Sequence, residues 1–251
     1  MRFDARTLSL ATYFAIVLFN IYTLVLYFNE QLTLYIHPRY ILFTVFFNVV
    51  SLVACTIGFV LTAWRLESGT VANRVHWRPP LTALVAGLVL LAAYSLPART
   101  LSSDTAEQRS GNFNDTQVQP SDSNAGNTLA LFEIDTSGLN VRDWASAFNM
   151  NASASFYEGK KVDLVGFVFH PEGTPEDVFY VSRFRITCCS VDAQPLGVPV
   201  YSPGWQEEFE EDSWVHVTGS FTETDQDIAE PAIIDPDSIE LTEQPDDPYV
   251  T

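Results

Sequence analysis

Apolar positions along the chain follow two patterns that change over at about residue 97. Leu8–Phe28 carries no charge across 21 residues, Tyr40–Trp64 none across 25, and Leu81–Leu96 none across 16. A bilayer core about 30 Å thick needs about 20 helical residues, so the first two runs predict membrane-spanning helices. The third is short and predicts a span only with help from Trp77–Pro80, from tilt or from local thinning; a buried or interfacial helix is its alternative. Pro79 and Pro80 suit a first helical turn, where no N–H is missed. The expected spans are about 8–28, 40–64 and 79–96. The first run is too long for the apolar part of a cleaved signal peptide, and no small-x-small site follows it in Phe28–Leu32. It is therefore expected to stay.

Residues 97–128 are rich in Ser, Thr, Asn, Gln, Asp and Gly, with scattered apolar residues such as Leu101, Phe113 and Val118. Such a stretch buries too little to fold alone and reads as a flexible polar linker. Structure resumes near Leu129. Ser137–Met150 predicts a short helix, capped by Ser137 or Asn140, with Leu139, Trp144, Ala147 and Phe148 on its apolar face. From Gly159 the period becomes two. Strands are predicted over Lys161–Phe169, Asp177–Cys189, Val198–Tyr201, Trp214–Phe221 and Ala232–Leu241, with Gly166 and Gly219 as bends and a helical turn over Glu207–Asp212. The predicted fold class is an N-terminal three-helix transmembrane region (all-α, 1–96), the linker, and a C-terminal all-β OB-like barrel with a short preceding helix (129–251).

Charge sharpens the division. The chain has a net charge of −18; residues 1–96 carry +3 and residues 97–251 carry −21. So acidic a domain argues against nucleic acid as a partner, because phosphate binding rests on Lys and Arg. An N-terminus-inside arrangement places five arginines inside and three outside, which puts the acidic domain on the extracytoplasmic side of a multi-pass cell-membrane protein. Asn20, Asn48 and Cys55 lie within spans and read as interhelical packing and hydrogen bonding. No Asp, Glu, Lys or His lies mid-span, so the chain carries no ion or proton relay of its own.

The adjacent Cys188 and Cys189 are the sharpest chemical feature. Thiolates suit soft metal ions, Asp192 is in reach through a turn, and His170 or His216 could approach from other strands. The candidate metal set is Cys188, Cys189, Asp192 and His170. Successive strand side chains point to opposite faces, which disfavours joint ligation without a bend. The packing alternative puts Cys188 in the core as a small hydrophobe and Cys189 at a turn; a redox pair or a vicinal disulfide is a third reading. Arg183 and Arg185 are expected to pair with acids such as Asp163 or Asp192, or to meet an anion. Nucleophile-elbow, Walker, dinucleotide-binding and HExxH motifs are all missing. A Cys189 dyad with His170 or His216 works only on paper.

Gly159-Lys-Lys-Val-x-Leu-x-Gly166-Phe-Val, Arg183-Phe-x-x-x-Cys188-Cys189-x-x-Asp192-Ala193, Asp212-x-Trp214-Val-x-Val-x-Gly219 and Pro245-x-x-Pro248-Tyr249-Val250 follow in order, after Tyr35-Ile-x-x-x-Tyr40 near the membrane. As a set they resemble a family of prokaryotic membrane proteins described as subunits of a two-component membrane permease complex. The resemblance implies three spans, a C-terminal OB-like domain and a polytopic permease partner in the lipid bilayer. Gly166, Arg183, Asp192, Trp214 and Gly219 are its structural motif positions. The function it implies is an accessory subunit whose outer domain gates or feeds the pore; the alternative is a membrane-anchored soft-metal or thiol-redox module. Two departures stand out. Ser190-Val191 replace two alanines of the family pattern, and the loop between spans two and three holds only His76 where some relatives are His-rich.

Overall fold

The computed structural model describes residues 5–67, 84, 87–88, 91, 95, 100–109, 113–114 and 136–250. The chain divides into two compact units, Met1–Arg99 and Thr100–Thr251.

In the first unit, α1 (Ala5–Phe28) and α2 (Pro38–Glu67) are joined through a 3-10 turn at Gln31–Leu34. Proline at the first position of α2 forfeits no helical bond. The helices run antiparallel. The Tyr13 ring lies on Gly58, where a Cβ would come within 3.0 Å of it, and Asn20 Nδ2 donates to Ser51 Oγ at 3.2 Å. Small residues at a helix contact permit such close approach. Among the described residues, Pro38–Thr62 alone is both long and apolar enough to cross a membrane, with mean hydropathy 2.2; the apolar part of α1, Thr12–Phe28, is shorter. The expectation of three spans is therefore reduced to one helix that meets both criteria and one apolar companion. Of the third expected span, 79–96, only Leu84, Gly87, Leu88, Leu91 and Ser95 are described, all helical; the rest lies outside the described residues.

The second unit is a barrel. After a 3-10 turn at Thr136–Gly138, α4 (Val141–Met150) and α5 (Ala154–Tyr157) precede β1 (Lys161–Phe169), β2 (Val178–Arg185), β3 (Gln194–Tyr201), β4 (Trp214–Thr222), β5 (Ile233–Leu241) and β6 (Tyr249–Val250); α3 (Ser103–Gln108) lies upstream. Strand order β1-β4-β5-β3-β2, with β1 pairing β2 again, closes a five-stranded ring, and β6 adds in parallel outside β2. This is OB-like connectivity.

Closure depends on β1 changing partners. Lys161–Phe167 pair with β4 and Phe167–Phe169 pair with β2. At the crossover Gly166 approaches the neighbouring backbone, and a Cβ there would stand 2.6 Å from the Ser182 carbonyl oxygen. Gly219 sits at the bulge where β4 slips against Asp235-Pro236; a Cβ there would strike the Asp235 carbonyl and Pro236 Cα. The two glycines read from sequence as bends are thus points of strand-to-strand contact.

Inside the ring, Leu164, Val181, Leu196, Val198, Val200, Val217 and Ile234 are almost wholly buried. One side of the core is covered by α4 through Val141, Trp144, Ala145 and Phe148, an i, i+3, i+4, i+7 stripe. The Trp144 ring meets Phe221 edge-on at 4.7 Å. Asn140, one of the two expected caps, closes this helix: its Oδ1 accepts from the N–H groups of Arg142 and Asp143, and Asp143 answers the Asn140 N–H.

Four expectations change. β2 stops at Arg185, and residues 187–192 form a loop where a strand to Cys189 was expected. β3 begins four residues earlier than Val198, although Pro195, Gly197 and Pro199 argue against a strand. It survives because it pairs with β2 along its whole length and with β5 only at Val200. The turn expected over Glu207–Asp212 is a 3-10 turn at Trp205–Glu207.

The fourth change concerns the expected linker. Thr100–Arg109 and Phe113–Asn114 pack on the barrel as a strap. Leu101 N–H donates to the Tyr249 hydroxyl, and the Ser103 N–H and hydroxyl both reach the Asp212 carboxylate. The Phe113 ring packs tilted against Phe169 and edge-on to Tyr180. Asn114 uses its side-chain amide as a one-residue strand: Oδ1 accepts the Gly197 N–H at 2.9 Å, and Nδ2 donates to the Gly197 carbonyl at 3.1 Å. Those groups of β3 have no strand beside them, so the amide satisfies them. Residues 115–128 lie outside the described residues.

Candidate functional site

The loop between β2 and β3 carries the vicinal cysteines. At its base Arg185 Nη2 donates to Gln194 Oε1 at 2.6 Å, across a register pair of the two strands. Ile186 is the last buried residue before the loop. The inward alternation ends there: Cys188, which the packing alternative placed in the core, is exposed, and Cys189 is half-buried. A 3-10 turn at Ser190–Asp192 brings the chain back, leaving Val191 81% exposed at the tip.

Asp192 organises this loop. Its Oδ1 accepts the Thr187 N–H at 3.0 Å and its Oδ2 the Cys188 N–H at 2.8 Å, while its own N–H donates to the Cys189 carbonyl at 3.0 Å. Burial pushes the Asp192 carboxyl up, but bonds from the Cys188 thiol and from the Thr187, Cys188 and Cys189 N–H groups outweigh it and hold the carboxyl below the usual range. The Cys188 thiol responds oppositely. Its hydrogen bond to the Asp192 carboxylate, then that to Cys189, push it up to about 12, so at neutral pH Cys188 keeps its proton. The two Sγ atoms are 3.5 Å apart and both thiols are free.

The four candidate metal residues do not converge. Cys188, Cys189 and Asp192 share the loop after β2, whereas His170 lies before the other end of β2, with Nδ1 hydrogen-bonded to the Val178 carbonyl at 2.9 Å and its ring 5.5 Å from Trp205. His216 is likewise engaged, pairing through Nε2 with Asp163 Oδ1 at 2.6 Å. Neither histidine is placed to make a dyad with Cys189. Among the described residues no three His, Cys, Asp or Glu side chains are grouped to hold a metal ion.

The arginines differ from expectation too. Arg183 pairs with neither Asp163 nor Asp192; its Nη2 donates to the Asp247 carbonyl at 3.2 Å and its guanidinium lies over the Trp214 ring at 5.4 Å. Burial lowers its pKa, and Asp247 opposes that shift. Arg183 and Trp214 thus hold the C-terminal segment beside β2.

Sequence reasoning missed Arg109. Its Nη1 donates to the Ala193 and Ser190 carbonyls, tying the strap to the cysteine loop. It also missed a polar group of half-buried Asn114 with buried Tyr180 and Glu230. Glu230 accepts from the Tyr180 hydroxyl at 2.6 Å and from Asn114 Nδ2 at 2.7 Å. Burial raises the Tyr180 phenol, and the carboxylate beside it raises it further. The one signal available was the pair of apolar residues, Leu101 and Phe113, set in an otherwise polar stretch.

With this geometry in hand, the sequence matches the DUF1980 N-terminal domain over residues 12–112 and the DUF1980 C-terminal domain over residues 137–251. The chain belongs to the DUF1980 family. No curated protein and no solved structure matches it. The DUF1980 C-terminal match begins within the turn before α4 and takes in the whole barrel. The N-terminal match runs on to residue 112, past the Arg99/Thr100 division between the compact units. The strap residues 100–109 are therefore counted with the helical DUF1980 domain by sequence and with the barrel by contact.

Proposed function

We propose that this chain is the accessory subunit of a two-component membrane permease, anchored by N-terminal spans beside a polytopic partner, with its acidic OB-like domain on the extracytoplasmic side, where it gates or feeds the pore. The observation that carries the reading is the outward surface of α1 and α2. Leu42 is 78% exposed, Phe43 65%, Phe46 62% and Trp64 71%. A patch of that size is unfavourable in water and suits lipid or partner helices. Asn48 Oδ1 is buried with no hydrogen-bond partner among the described residues, a group that a further helix could satisfy. The spans contain no ionisable relay, so the pore belongs to the partner. The soft-metal alternative has less support, because its four donors do not converge.

Purification of the tagged full chain from its own membranes in mild detergent tests the proposal. A polytopic protein should co-elute in fixed ratio through a second, size-based step. Recovery of the chain alone, still folded, would refute the reading.

A further inference from the structure

We propose that Cys188 and Cys189 are a reversible dithiol–disulfide couple whose oxidation breaks the Arg109 tie between the strap and the cysteine loop and so loosens the strap. The inference is independent of the permease reading and rests on three features of the loop.

The first is reach. The two sulfurs lie 3.5 Å apart, with Cys188 exposed to solvent, so a local turn of the backbone between them is enough to bring them to bonding distance. The second is strain. Adjacent Cα atoms are about 3.8 Å apart across a trans peptide, whereas disulfides ordinarily bridge Cα atoms about 4.4–6.8 Å apart. A ring closed between neighbours is therefore strained and readily reopened by a thiol, which suits a switch better than a staple. Cys189 is extended, at φ −159° and ψ 169°, so closing the ring has to turn this backbone.

The third feature is what that turn would disturb. The Cys188 N–H is held by Asp192, and the Ser190 and Ala193 carbonyls just beyond are the acceptors for Arg109 of the strap. Rotation at Cys188–Cys189 pulls these groups out of register together. Loss of the Arg109 contact removes the tie between α3 and the loop, leaving the strap held by Leu101, Ser103, Phe113 and Asn114.

The oxidant is a small-molecule disulfide, RSSR. Cys189 attacks first, because the Cys188 thiol donates its proton to the Cys189 sulfur while that sulfur accepts: the Cys189 sulfur displaces one RS⁻ and forms a mixed disulfide. The Cys188 sulfur then attacks the Cys189 sulfur and displaces the second RS⁻. Both thiol protons end on the released thiols, so dithiol plus RSSR gives protein disulfide plus two RSH. Two electrons pass from the protein to RSSR.

Oxidised glutathione on the purified full chain in mild detergent is the test, read by peptide mass mapping that separates this pair from Cys55. The wild type should lose two hydrogens at Cys188–Cys189, keep no glutathione, and recover both thiols with dithiothreitol. Cys188→Ser should trap one glutathione on Cys189, since the resolving sulfur is gone. Amide exchange over residues 100–109 should rise roughly tenfold on oxidation, and should not change in Cys188→Ser/Cys189→Ser. Glutathione retained on both cysteines, or no reaction at either, overturns the couple. An intramolecular disulfide with unchanged exchange in the strap overturns its control of the strap.

Discussion

The helical unit and the barrel differ most in what they expose. Between α1 and α2 the buried positions include Asn20 and Asn48, while large apolar side chains such as Leu42, Phe43 and Phe46 stand outward. In the barrel the interior is Val, Leu, Ile and Phe, and the acids lie outside, Glu230 excepted. Among the described residues Pro38–Thr62 is long and apolar enough to cross a membrane, and the two surfaces suit different media. Water rejects apolar area; a hydrocarbon surrounding is indifferent to it and rejects unpaired polar groups. The comparison also separates what stabilises each unit. The barrel rests on burial and close strand contact, the helix pair on packing and a few hydrogen bonds.

The largest effect should therefore come from the barrel core. Trp144→Ala empties a fully buried site against Phe221 and Tyr157 and should cost about 4 kcal/mol, read by denaturant unfolding of the barrel signal with α1–α2 helicity retained. Equal loss of both signals would contradict the separateness of the two units. Asn114→Ala removes the paired bonds to Gly197 and the contact to Glu230. About 2 kcal/mol is expected, felt first as faster amide exchange over 100–114 while β1–β5 stay protected.

A third effect is confined to the cysteine loop. The folded Asp192 pKa is lowered, so its contribution is present above the unfolded carboxylate value and is lost as pH falls through the folded one. The folded Cys188 pKa is raised to about 12, so its contribution is complete below the unfolded thiol value and disappears as pH rises towards 12. The loop should be tight across neutral pH and loosen at both extremes. Asp192→Asn should speed alkylation of Cys188 at pH 8 at least about tenfold, measured by peptide mass mapping, without moving the barrel midpoint. The smallest effect belongs to the helix pair. Asn20→Ala loses the bond to Ser51 and should cost about 0.6 kcal/mol, read as a small shift in detergent-titrated unfolding. A loss as large as that of Trp144→Ala would mean that polar contacts dominate this unit as well.

Periodicity made much of the fold legible. Alternation located β1 and the body of β2, runs of strand-forming residues located β4 and β5, and charge-free runs located α1 and α2. β3 was under-read because Pro195, Gly197 and Pro199 lower strand propensity, and its pairing with β2 is a non-local compensation. β6 is two residues long, too short for a period. The strap was read as a linker because its polar residues bond to barrel groups distant in sequence, Ser103 to Asp212 and Asn114 to Gly197 and Glu230. At the candidate site, Cys188, Cys189 and Asp192 were legible as a set; the separation of His170 and the approach of Arg109 were not.

Sequence alone determined the two kinds of surface, because charge and hydropathy are properties of composition along the chain: a helical region with long charge-free apolar runs and an acidic β-domain suited to water. It also determined where glycine is needed, since only residues without Cβ permit the approaches at Gly166 and Gly219. Tertiary structure decided which polar groups meet. It directed the Asp192 carboxylate to the Cys188 backbone and thiol, paired His216 with Asp163, and laid Arg109 across the cysteine loop. The last two partnerships join segments tens of residues apart, and the first depends on how a four-residue turn is bent; a one-dimensional pattern carries neither the angles nor the distances.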